Sequence, residues 1–148
     1  MRRISRVLSV LLPLFCAAQV LQAQAPGRDS QSRPGSGFEL EQNYPNPFNP
    51  ETTIPFTLGE ELFADGGSAR VSLQIFNLLQ QVVAHPVALG HPSGEGVQLL
   101  ELEYTQPGSY EAFWDGMDLA GRQVASGIYF MRLTVNGEGA VRRMYVLK

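Results

Sequence analysis

From Phe38 onward, apolar side chains return at every second position, in short runs separated by Gly, Pro, Asn and Asp. An amphipathic helix needs a stripe at three- and four-residue spacing over roughly ten residues or more, and no window supplies one. This pattern argues against helical bundles and βαβ arrangements and leaves antiparallel sheets. Ile54, Phe56 and Leu58 alternate with Thr53, Pro55 and Thr57, and Val71, Leu73 and Ile75 with Ser72 and Gln74. Residues 82–89 read as one strand with Pro86 inside it. Residues 97–104 set Leu100, Leu102 and Tyr104 on a dry face against Glu101 and Glu103 on a wet one. Tyr110, Ala112 and Trp114 follow a "QPGS" turn. Tyr129, Met131, Leu133 and Val135 lead into Asn136-Gly137, a hairpin dipeptide because both positions tolerate positive φ. The closing run is "AVRRMYVLK". About seven strands so spaced predict an all-β fold, an antiparallel immunoglobulin-like β-sandwich. No internal repeat of about 20–50 residues is visible.

The first 37 residues do not share this pattern. Arg2, Arg3 and Arg6 precede an apolar segment from Val7 to about Leu21, and small residues follow at Ala23 and Ala25. A basic start, a short apolar middle and a small-residue exit make a secretory signal peptide, assigned to residues 1–23. The apolar segment falls short of the roughly 20 residues of a spanning helix, so no stable membrane span is expected after cleavage. Residues 24–37, rich in Gly, Ser and Pro, read as a flexible linker, and residues 38–148 as the domain. The chain has 11 Lys and Arg against 14 Asp and Glu; losing three arginines with the signal leaves eight against 14, net −6. That sign disfavours nucleic acid as a partner. The lone cysteine, Cys16, departs with the signal, so the mature domain is expected to be held by its core alone.

The segment "NYPNPFNPETTIPFTL", residues 43–58, puts Pro45, Pro47 and Pro50 ahead of a strand and Pro55 inside it. Proline cannot donate to a ladder, so Pro55 predicts an edge strand and Pro86 a second edge or a bulge. The upstream prolines bias Tyr44, Asn46 and Asn49 towards extended backbone, and the asparagines suit bonds to nearby backbone. Tyr44 and Phe48 are then expected to plug one end of the sandwich. The whole segment reads as a clasp where linker becomes domain.

The wording of this clasp, "NYPNPFNPETTIPF", resembles the opening signature of the C-terminal sorting domains of the type IX secretion system. The resemblance continues through "VSLQIFNLLQQVV", "YEAFWDGMDLAGRQVASGIYFMRLTVNG" and the basic-apolar ending "VRRMYVLK", and covers residues 40–148. The second half is also similar to the immunoglobulin-like domain of flagellar hook-capping proteins. Two departures stand out. Gln80 occupies a turn position where the family commonly has glycine, so the turn must avoid positive φ or accept strain. Residues 59–69 form an acidic insertion longer than a tight connection.

On this resemblance, Tyr44, Pro45, Asn46, Pro47, Phe48, Asn49, Pro50, Trp114, Asp115, Gly116, Gly127 and Tyr129 form the structural signature. Arg142, Arg143, Met144, Tyr145, Val146, Leu147 and Lys148 become the surface that the secretion machinery reads. The resemblance implies two partners, the outer-membrane secretion machinery and a sortase-like surface peptidase. It also implies an exported protein, in the periplasm in transit and then at the cell surface or outside. The rival reading is a stand-alone immunoglobulin-like interaction or structural module of the cell envelope.

Chemistry is sparse. Asp115 and Asp118 lack the alternating acidic spacing of a calcium loop and read as turn residues above a Trp114 core anchor. His85 and His91, each before a proline, have no third ligand in the pattern and are expected to be solvated. Ser93, Ser109 and Ser126 sit in turns without a G-x-S-x-G elbow. Glu101 and Glu103, on the wet face, read as solubilising. No nucleophile, base and oxyanion donor come together in the pattern, so neither catalysis nor a cofactor is expected.

Overall fold

Period-two alternation gives each strand one apolar row, and such rows leave water only by facing one another across two layers. The computed structural model describes residues 35–148, and there the rows meet in two antiparallel sheets. The signal peptide at 1–23 and linker residues 24–34 lie outside the described residues. In chain order the strands are β1 (Phe38–Leu40), β2 (Thr52–Leu58), β3 (Ala69–Phe76), β4 (Val82–Ala84), β5 (Val87–Leu89), β6 (Leu102–Tyr104), β7 (Gly108–Trp114), β8 (Gly127–Val135) and β9 (Glu138–Val146). The first sheet runs β1-β2-β7-β5. The second runs β4-β3-β8-β9, with β6 also on β3. This is an all-β, immunoglobulin-like sandwich. Its interior holds the rows that alternation predicts, among them Ile54, Phe56, Val71, Leu73, Ile75, Ala112, Met131 and Leu133. Asn136 (φ 49°) and Gly137 (φ 89°) make the two-residue turn between Val135 and its partner Glu138.

Among the described residues, the expected seven strands become nine for two reasons. The three-residue β1 carries too little pattern to register. Residues 82–89 are two strands in different sheets, so Pro86 marks the crossing between layers and neither an edge nor a bulge within one strand. Pro55 also needs correction. Its strand is interior, between β1 and β7. Leu40 pairs with Phe56 and Tyr44 with Thr53, so three residues oppose two and the chain bulges opposite Pro55. The proline carbonyl accepts from Glu41 N–H at 3.0 Å, and its missing donor falls where that ladder is already interrupted.

Within 97–104 only β6 is a strand. Glu101 takes φ 53°, which breaks the alternation: Leu99 becomes fully buried and Leu100 is 45% exposed, the reverse of the expected dry face. Ser72 holds the irregular backbone by accepting from Glu101 N–H at 2.8 Å while its hydroxyl donates to the Glu101 carboxylate at 2.9 Å. The acidic insertion forms a 3₁₀ segment, Glu60–Gly66, kinked at Ala64 and Asp65.

Gln80 accepts the strain, at φ 60°. Asn77 organises the turn: its Oδ1 takes the N–H groups of Leu79 and Gln81 at 2.9 and 3.0 Å, and its carbonyl takes that of Gln80 at 3.0 Å. Releasing a left-handed residue is worth about 1–2 kcal/mol, whereas glycine adds about 0.4–1 kcal/mol of unfolded-state entropy. Gln80→Gly is therefore expected to stabilise the domain by about 0.5–1 kcal/mol, raising the urea midpoint at unchanged m. A lowered midpoint would mean that the Gln80 side chain contributes more than its strained backbone costs.

Candidate recognition site at the proline clasp and last strand

The clasp is anchored by a polar knot. Asn43 is buried, and its Nδ2 donates to Pro45 O at 3.1 Å and to Thr52 Oγ1 at 3.0 Å; Thr52 Oγ1 in turn donates to Pro45 O at 3.0 Å. Sequence reasoning missed Asn43, although it opens the signature. Residues 45–50 bend, with cis bonds before Pro45, Pro47 and Pro50. The bend carries Phe48 into the core, where it is 1% exposed and meets Trp114 edge-on, with ring centroids 5.4 Å apart. Trp114 meets Tyr129 in the same way at 5.9 Å. Edge-to-face pairs of this kind add about 0.5–1.5 kcal/mol beyond area burial.

Phe48 plugs the sandwich as expected. Tyr44 does not: it is 52% exposed on the outer face of the first sheet, with its hydroxyl on the Glu111 carboxylate. That bond, followed by desolvation, raises the pKa of the phenol. Pro45, Pro47, Asn49 and Pro50 are exposed.

The clasp and the last strand form one hydrogen-bonded unit. Phe48 N–H donates to Tyr145 O and Leu147 N–H to Phe48 O, each at 3.0 Å, so Phe48 bridges in parallel to Val146. Asn46 Oδ1 takes the Tyr145 N–H at 3.0 Å, so this asparagine braces the far end of the chain and not its own turn. Gln42 Nε2 reaches Arg143 O at 3.1 Å, and Lys148 N–H donates to Ser126 Oγ at 3.0 Å. The seven C-terminal candidates therefore divide. Met144 and Val146 are core residues, and Arg142 turns inward to donate from Nε to Leu40 O. Only Arg143, Tyr145, Leu147 and Lys148 present side chains to solvent, with Leu147 56% exposed.

The loop after Trp114 closes the other side. Trp114 Nε1 donates to Met117 O at 2.9 Å, and Tyr129 Oη donates to Ala125 O at 3.0 Å. Gly116 is buried at φ 75°, close to the Pro50 carbonyl. Gly127, at the start of β8, takes φ 157° and is exposed. Asp115 Oδ1 accepts from Met117 N–H at 2.9 Å, and Asp118 Oδ1 from Ala120 and Arg122 N–H at 2.9 and 3.0 Å. The Arg122 backbone bond is the main cause holding Asp118 below the usual carboxylate range. Both carboxylates thus serve turns. Among the described residues, no three His, Cys, Asp or Glu side chains converge in a way that could hold a metal ion. Beside this loop lies a cavity of about 430 Å³ lined in part by His85, Phe113 and Leu119, and His85 Nδ1 is buried with no partner.

His91 departs from its expected solvation. It is 8% exposed, edge-on to Tyr104 with centroids 4.7 Å apart. Its Nδ1 accepts from Ser93 N–H at 3.0 Å, which puts the proton on Nε2, 2.9 Å from Glu103 O. Both ring nitrogens are thus engaged. Tyr104 has a buried hydroxyl without a partner, and burial pushes its pKa to about 12. Among the described residues, no helix is long and apolar enough to cross a membrane.

No family model matches the chain, and no curated protein is similar to it. Among solved structures it is similar to dimeric latent PorU from Porphyromonas gingivalis, at 19% identity and TM-score 0.49, over 74% of this chain and 9% of that one. It is also similar to PorZ from the same organism, an essential bacterial surface component of the type IX secretion system. There the identity is 19% and the TM-score 0.42, over 72% of this chain and 11% of that one.

Proposed function

We propose that residues 38–148 are a non-catalytic C-terminal sorting domain that directs export across the outer membrane by the type IX secretion system. The observation that carries this reading is the coupling of the two ends of the resemblance. The "NYPNPFNP" clasp hydrogen-bonds along the final strand, so the last residues are held in one conformation for a partner to read. Preorganisation of this kind lowers the entropy lost on docking. The exposed Arg143, Tyr145, Leu147 and Lys148 form the reading surface for the outer-membrane machinery. A sortase-like surface peptidase then cuts within residues 24–38. The chain needs no cofactor and travels through the periplasm to the surface or beyond.

A second reading is an envelope module that binds by strand addition along β9, the terminal strand of its sheet. Addition would fall ahead of Arg143, since the clasp already occupies the edge from Arg143 to Leu147. Removing residues 142–148 would not separate the two readings, because it also strips Met144 and Val146 from the core. Arg143→Glu with Leu147→Asp alters exposed side chains only. A reporter placed between a signal peptide and residues 24–148 is followed in a host that has this secretion system. The unmodified tail should release the reporter. The double variant should retain it in the periplasm, with release falling at least about tenfold, equivalent to about 1.4 kcal/mol of lost binding. Protease resistance checks that the domain is folded. Release unchanged by the variant would sink the sorting surface, and unchanged release with lost partner binding would favour the module.

A further inference from the structure

Charge is unevenly divided between the two layers. Strands β1, β2, β5 and β7 contain Glu39 and Glu111 and no Lys, Arg or His. Strands β3, β4, β6, β8 and β9 contain Arg70, Arg132, Arg142 and Arg143 and two acidic residues, Glu138 at the hairpin and Glu103 on β6 across from Arg70. Register fixes what each outer face presents. On the first sheet, Pro55 lies across from Glu111 and Glu111 from Leu89, with Glu41 bonded to Thr57 beside them. On the second, Phe76 pairs with Phe130 and Phe130 with Arg143, while Arg132 pairs with Val141. Arg70 is opposed by Glu101 at 4.0 Å and lies across from Glu103, and Arg142 is turned inward, so the outward positive charge that the proposal uses is that of Arg132.

Arg132 lies 4.6 Å over the Phe76 ring and has no carboxylate within 4.0 Å among the described residues. A guanidinium stacked by its face keeps its in-plane donors for a carboxylate. Beside it a groove of about 310 Å³ runs between Phe76, Leu78, Phe130 and Val141, and Leu78 is 65% exposed. Each outer face is thus apolar in part, and the acidic first face is matched by a positive patch around Arg132 on the second.

We propose that a second copy of this chain docks its acidic first-sheet face, through Glu41 and Glu111, onto the Arg132 face of the second sheet. Pairing like faces would juxtapose like charges, so a symmetric dimer is disfavoured. Front-to-back contact is heterologous: each copy retains one unused face of each kind, and stacking continues as an open series. This self-association does not rest on the sorting role, although Arg143 of the proposed reading surface lies on the same outer face.

Sedimentation velocity on the purified protein, as processed by the producing cell, tests it. At low salt the weight-average sedimentation coefficient should rise with concentration without a plateau at the dimer, and salt should suppress the rise. Arg132→Glu should weaken association at least tenfold, and so should Glu41→Gln with Glu111→Gln; circular dichroism checks that both variants fold. An equimolar mixture of the two retains one intact pair of complementary faces and should stop at a one-to-one dimer. A wild-type chain that stays monomeric, growth that saturates at a symmetric dimer, or a mixture that stays monomeric would each overturn the proposal.

Discussion

Replacing Gly116 with alanine is expected to destabilise the domain by about 3 kcal/mol or more. Two causes act together. Gly116 sits at φ 75°, in the left-handed region that costs a residue with a Cβ about 1–2 kcal/mol. A Cβ there would also stand 2.1 Å from the Pro50 carbonyl oxygen, a backbone atom that moves only if the clasp moves. Relief must therefore come from swinging the proline segment away from the loop after Trp114. Thermal unfolding should show a drop of roughly 12 °C or more for a domain of this size. Hydrogen exchange should accelerate at the Phe48 and Leu147 amides, which close the clasp onto the last strand. An alanine variant with unchanged stability would mean that the clasp is not held against the loop.

Phe48→Ala should cost about 3–5 kcal/mol, the usual range for removing a buried aromatic side chain. Phe48 is 1% exposed and its ring closes the core against Trp114, so truncation leaves a cavity lined by a large rigid indole that relaxes poorly. Against a typical stability of about 5–15 kcal/mol, that loss brings the domain close to its threshold. Tyr44→Ala is the matched control. Tyr44 is the other aromatic of the clasp but points outward, so its loss should cost well under half as much in a urea titration. Equal losses at the two positions would show that both rings fill the core and would contradict the observed division.

These results also bear on the sorting proposal. The proposed reading surface is one strand deep: Met144 and Val146 hold it down while Arg143, Tyr145 and Leu147 face out. A clasp variant that loosens Phe48 changes the presentation of these side chains without altering any of them. Export should therefore fall with Gly116→Ala in proportion to the loss of amide protection. The surface changes Arg143→Glu and Leu147→Asp act without that loss.

The chain's local pattern determined the class of fold. Alternation is a property of neighbouring residues, since successive side chains of a strand point to opposite faces whatever the strand pairs with. The core rows of β2, β3, β7 and β8, the Asn136-Gly137 turn, and the burial of Phe48 and Trp114 were legible for that reason. What only the tertiary structure decided were relations between residues far apart in sequence. The side taken by Tyr44 depends on Glu111, the burial of His91 on Tyr104 and Glu103, and the interior place of β2 on a bulge opposite Pro55. Pro86 could mark a layer crossing only once β4 and β5 had separate partners. The candidate site divides in the same way: its residue types were written in two motifs, but Phe48 meets Tyr145 and Leu147 only after the chain has closed on itself. A backbone hydrogen bond between such distant residues leaves no periodic trace, because its geometry is fixed by the packing of everything between them.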